Sequence, residues 1–175
     1  ILGALFTGPY ALFHNWLPGS GPRRKGWLLA ALGYWSIALY PFLKYPANPP
    51  GVGDPETIGY RQAITLSFVA LSVMGSGIAV AVYHLLDRPG KGTRPQNRLS
   101  LVLGGYLIYA VALYLLMPSN PDPVRMPMGL VWQFRWLSLA GLSLLWLVLG
   151  GTFPLLWKRF SQDKPLVPSR IAQTG

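Results

Sequence analysis

Pro41-Phe42-Leu43-Lys44-Tyr45-Pro46-Ala47-Asn48-Pro49-Pro50-Gly51-Val52-Gly53-Asp54-Pro55-Glu56-Thr57-Ile58-Gly59-Tyr60-Arg61 lies between two long apolar segments. Proline fixes φ and pushes the residue before it toward extended geometry, so this stretch is stiff and cannot be helical through Asn48. Asp54-Pro55-Glu56 then reads as a helix start. Asp54 supplies a capping oxygen, Pro55 suits the first helical position, and Glu56 favours the positive end of the helix. Lys44, Asp54, Glu56 and Arg61 put four ionisable groups into a connector between apolar runs, which is more than a spacer needs.

Working outward, the flanking runs decide the fold class. Charged residues make up 11% of the 175-residue chain, against roughly 25% in ordinary soluble domains, while 51% are hydrophobic. The pattern predicts an all-α, polytopic membrane helix bundle of about five transmembrane helices with a proline-rich outward loop. A spanning helix needs about 20 mainly apolar residues. Spans are expected at about 1–17, 27–43, 61–86, 99–117 and 130–157, as one domain over 1–160, with 161–175 a cytoplasmic tail. The first is short and contains Pro9. Because the chain opens inside an apolar run without methionine, it is read as lacking its natural beginning.

Orientation follows from the basic residues. Eleven of the 15 Lys and Arg fall at positions 23–25, 88, 91, 94, 98, 158, 159, 164 and 170, against Lys44, Arg61, Arg125 and Arg135 at the opposite ends. The positive-inside rule places the basic loops and the C-terminus in the cytoplasm. The net charge of +10 is thereby assigned to topology, and nucleic acid is not expected as a partner; membrane lipids are.

With no cysteine, thiolate chemistry and disulfides are excluded. No phosphate-binding loop, nucleophile elbow or paired intramembrane carboxylates occur, so no enzyme is expected. Arg135 sits inside an apolar helix, where a central arginine costs roughly 2.5–3.5 kcal/mol on translocon scales. It is expected to face the bundle and meet the carboxylate of Asp54, Glu56 or Asp122, or the loop backbone around Asn48; snorkelling to headgroups is the bland alternative. His14 and His84 come to similar depth from opposite chain directions, which makes a bis-imidazole ligand pair conceivable, although packing roles are commoner for lone histidines. Gly75/Gly77, Gly104/Gly105 and Gly150/Gly151 read as places where helices approach closely.

The run Pro41–Pro50 with Val52–Gly59, together with Leu130-Val131-Trp132-Gln133-Phe134-Arg135 and Trp146–Gly150, resembles the CbtA family of probable cobalt-transporter subunits. The likeness spans about Trp27 to Gly151. In that family a further membrane segment usually precedes the region that opens this sequence. The resemblance implies an integral membrane subunit of a cobalt-uptake system, in the bacterial inner membrane or, in a phototroph, the thylakoid. It also implies a small partner, CbtB, with a histidine-bearing tail. No cofactor is certain. Co²⁺ in transit would meet oxygen donors from Asp54, Glu56 and Asn48, within a loop shaped by Lys44, Tyr45, Pro46, Pro49, Pro50 and Arg61. The competing reading is an accessory subunit of a larger photosynthetic or electron-transfer complex, with His14 or His84 contacting pigment or haem.

Overall fold

The computed structural model describes residues 2–87, 94–120, 122, 124 and 126–162. Positions 88–93, Arg125 and the tail from 163 onward, on which part of the charge argument rests, lie outside the described residues. All regular structure among the described residues is helical: α1 (Leu2–Phe13), α2 (Pro22–Gly33), a π-helical turn (Tyr34–Leu39), α3 (Tyr40–Lys44), a 3₁₀ turn (Pro55–Thr57), α4 (Ile58–Leu86), α5 (Pro95–Leu116) and α6 (Met128–Gln162). Among the described residues four helices are long and apolar enough to cross a membrane: Pro22–Lys44, Pro55–Leu86, Gln96–Leu116 and Met128–Trp157. The segment expected to span first forms α1, 12 residues or about 18 Å. The basic run Arg23-Arg24-Lys25, expected in a loop, occupies the opening turn of α2, because Pro22 fits a first helical turn that lacks intrahelical N–H partners anyway.

The helix Pro22–Lys44 is the axis of the bundle. A third of its apolar window is buried, 33% against 11% for α5. Its first half joins α1 and α6 in a core of Phe6, Tyr10, Ala30 and Phe153, flanked by Trp146 and Trp157. The second half joins α4 and α5 around Tyr40, Phe68, Ala110 and Leu113. The crossover between the two cores is the π turn, and its cause is legible in the chain. Pro41 has no N–H to give, and its ring would collide with the carbonyl four residues back in a regular helix. Widening the preceding turn relieves that clash, and the Tyr40 N–H reaches Trp35 O, five residues back. Residues five apart stand about 140° from each other on an α-helix. Here Trp35 and Tyr40 stack at 5.4 Å with planes 10° apart. Buried aromatic tips find acceptors across the bundle: Tyr40 Oη donates to Ala110 O (2.5 Å), Tyr109 Oη to Leu71 O (2.7 Å) and Trp35 Nε1 to Tyr106 Oη (2.6 Å).

Small residues set the helix spacing. A β-carbon at Gly150 would meet the Trp27 ring and Ala30 Cβ, one at Gly33 the Trp146 ring, and one at Gly75 the Tyr109 ring. Gly77, Gly104 and Gly105 face open space and carry no such contact. Of the glycine pairs singled out in the sequence, Gly150 and Gly151 both lie against the Trp27 ring, Gly75 packs without Gly77, and Gly104/Gly105 does not pack, while Gly33 emerges only from the structure.

Candidate functional site

The proline-rich connector folds into a rigid cover over one end of the bundle. Pro49, Pro50, Gly51 and Val52 form a turn closed by the Val52 N–H on Pro49 O (3.3 Å). Gly51 has φ 84°, so proline second and glycine third give the type II pattern. Asp54 caps as its position predicts: its backbone is extended and Oδ1 accepts the Glu56 N–H at 2.9 Å.

Asp122, on the facing loop, is the hub. Its side chain is only 5% exposed and accepts the Asp54 N–H (3.0 Å) and the Thr57 hydroxyl (2.7 Å), with Arg61 Nε 3.0 Å away. The Thr57 hydrogen bond, then the Asp54 N–H and the Arg61 charge, hold its carboxyl below the ordinary aspartate range. Arg61 also donates to Asp54 O (3.2 Å) and Val52 O (3.4 Å), so one guanidinium staples the loop to the start of α4. Gly53 is required directly beneath. It has φ 95°, and a β-carbon there would lie 2.5 Å from both Arg61 Nη1 and Asp122 Oδ2.

Arg135 reaches the same cover from α6. Its Nη2 donates to Asn48 Oδ1 at 2.9 Å, and the guanidinium lies 5.4 Å from the Trp132 ring. Arg135 thus meets the loop through an amide. Among the described residues the ion pairs are Arg61–Asp122 and Arg98–Asp87, so the carboxylate partner expected for Arg135 belongs to Arg61 instead. Tyr45 donates to Pro118 O (2.5 Å) and Lys44 to Tyr114 O (2.8 Å), tying α3 to the end of α5. Between these groups lies a cavity of about 340 Å³, whose walls include Tyr45, Asn48, Arg61, Thr65, Asp122 and Arg135.

The other sequence candidates lie apart from this cavity or at its rim. Asp54 and Glu56 are exposed, Pro46 is half-buried against the cavity, Pro49 is buried and Pro50 is exposed. At the opposite end, His14 Nδ1 is 2.9 Å from Ala11 O with its ring stacked on Tyr10, and His84 Nε2 is hydrogen-bonded to Trp16 O. Each ring has its own backbone partner. Among the described residues no three His, Asp or Glu side chains converge. The reading of the sequence missed Thr57 altogether and did not pair Arg61 with Asp122. The available signal was the spacing of Thr57 and Arg61, four apart and so on one helix face.

A family model described as probable cobalt transporter subunit (CbtA) matches residues 1–158. The chain belongs to the CbtA family. Both ends of the site, the connector and the start of α6, fall inside the matched range. No curated protein and no solved structure shows significant similarity to the chain. As a CbtA-family member with four membrane-length apolar helices it is a multi-pass integral membrane subunit, and a subunit implies a partner. The family does not favour the pigment- or haem-contacting alternative.

Proposed function

We propose that this CbtA-family chain is the non-enzymatic membrane subunit of a Co²⁺ uptake system and that its proline-rich cover faces the outside, at the entry. The observation that carries the reading is the placement of Asp54 and Glu56. Both carboxylates are exposed on a capped helix start, while the cover beneath them is fastened by Arg61, Asp122 and Arg135. Carboxylate oxygens held at an exposed rim attract a divalent cation by charge and shed it again, as an entry site must. Asn48 oxygen is already spent on Arg135, so a partner of the CbtB kind completes the ligand set with imidazole or further oxygens.

Cells expressing the chain with its partner should take up radiolabelled Co²⁺ faster, at low external concentration, than cells lacking it. Asp54→Asn with Glu56→Gln should lower that uptake severalfold while leaving the amount of membrane-inserted protein unchanged. Equal uptake with and without the chain, in a strain with no other importer, would remove the transport reading.

A further inference from the structure

The cavity beneath the cover has the wrong charge for a cation. Among the described residues its walls carry two guanidiniums, Arg61 and Arg135, against one carboxylate, Asp122. Asp122 is consumed by Arg61, Thr57 and the Asp54 N–H, so the charge of Arg135 has no counter-charge among the described residues. Arg135 Nε is buried and has no acceptor. The neutral groups point the same way. Asn48 spends its oxygen on Arg135, and Asn120, also at the wall, spends its oxygen on the Asp122 N–H at 3.1 Å. Both amides keep their NH₂ donors unspent.

We propose that this cavity is an anion site that takes a single oxyanion group, a carboxylate or phosphate, on Arg135 with the Asn48 and Asn120 amides beside it. A guanidinium fork matches a planar or tetrahedral oxyanion through two parallel N–H donors, and about 340 Å³ admits a group of a few heavy atoms. The site stands whichever ion the protein moves, since its donor set is complete within this chain. Such a group can come from solution, from a partner's acidic side chain, for which a free carboxylate is the surrogate, or from a lipid headgroup.

The test uses the full chain purified in a neutral detergent. Its thermal midpoint is followed against sodium acetate, with sodium chloride at equal ionic strength as reference. A parallel series uses vesicles of phosphatidylglycerol against phosphatidylcholine. The informative variant is Asn48→Asp, which keeps the side-chain shape and supplies the missing carboxylate from within. Wild type should respond saturably to acetate, and Asn48→Asp should respond about tenfold more weakly or not at all while melting higher in the absence of anion. Arg135→Gln should lose the response too, and Asn48→Asp keeps the test decisive should Arg135→Gln fail to fold. A response to phosphatidylglycerol alone, lost in Asn48→Asp, assigns the site to a lipid phosphate and supports it equally. No response to either anion, one that chloride matches, or one that Asn48→Asp retains, would overturn the site.

Discussion

A single carboxylate, Asp122, ties the two loops at that end of the bundle together, with Arg61 as its counterpart. Three groups converge on this carboxylate, the Asp54 N–H, the Thr57 hydroxyl and the Arg61 guanidinium, in the space that Gly53 leaves open. Its carboxyl titrates below the ordinary aspartate value of 3.8. A group depressed in the folded state contributes stability that is present above its unfolded value and lost as pH falls through its folded one. Wild type should therefore melt above Asp122→Asn near neutrality, and the gap should close as pH falls below 3.8. Melts of both proteins in detergent, followed downward from about pH 6, read this directly; a gap that does not narrow at all below 3.8 would mean that the carboxylate charge is not what fastens the loop. Little of this hub was legible in the sequence. The cap at Asp54 was, because capping is a local property of three or four adjacent residues. The pairing of Arg61 with a residue 61 positions later was not, since three carboxylates competed for two arginines and spacing alone cannot choose among them.

At the scale of helices, the sequence was more informative about where elements lie than about how they touch. Apolar run length and proline punctuation give the four long helices, because in a bilayer every backbone group must be satisfied within its own segment. Interfaces depend on which face turns inward, and a helix that is apolar on all sides hides that. Hence the glycines: Gly104 and Gly150 look alike in sequence, yet a β-carbon at Gly104 meets nothing while one at Gly150 meets Trp27 and Ala30. Overpacking a filled interface costs about 1–3 kcal/mol. Gly150→Ala should lower stability by about that amount, by forcing α2 and α6 apart. Gly104→Ala should be neutral or raise stability by up to about 1 kcal/mol through helix propensity. Equilibrium unfolding in detergent distinguishes the two, and equal effects would mean that α2 and α6 do not pack as described. The π turn is the converse case, with a cause fully present in the sequence. Pro41 forces it, and the stacked Trp35–Tyr40 pair is its consequence.

For the whole molecule, the two ends of the bundle differ in kind. One end gathers Arg61, Asp122, Arg135 and Asn48 under a stiff cover, with Tyr45 and Lys44 pinning the neighbouring helix end. At the other, Arg23, Arg24 and Lys25 open α2, Arg98 pairs with Asp87, and Tyr10, His14 and Trp157 pack together. Four crossings from Pro22 to Trp157 return the chain to the side where it began, so all the described members of the larger basic group share one end. This agreement between helix alternation and charge is the physical basis for orientation. Lys and Arg are retained on the cytoplasmic side during insertion, whereas an arginine on the far side must find a partner at the interface, as Arg61 and Arg135 do. The orientation is therefore expected to place the Arg23–Lys25 end in the cytoplasm and the proline-rich cover outside. The chain has no cysteine, so single reporters can be introduced without removing any native thiol. Pro50 and Ser20 are both exposed, at opposite ends of the first long helix, and neither takes part in the ion pairs. In intact cells a membrane-impermeant thiol reagent should label Pro50→Cys and spare Ser20→Cys, with both labelling after the membrane is opened. The reverse pattern would invert the protein and move its arginine-lined cavity to the cytoplasmic face. Labelling of both in intact cells would break the alternation itself, because helix Pro22–Lys44 could then not separate its two ends across the bilayer.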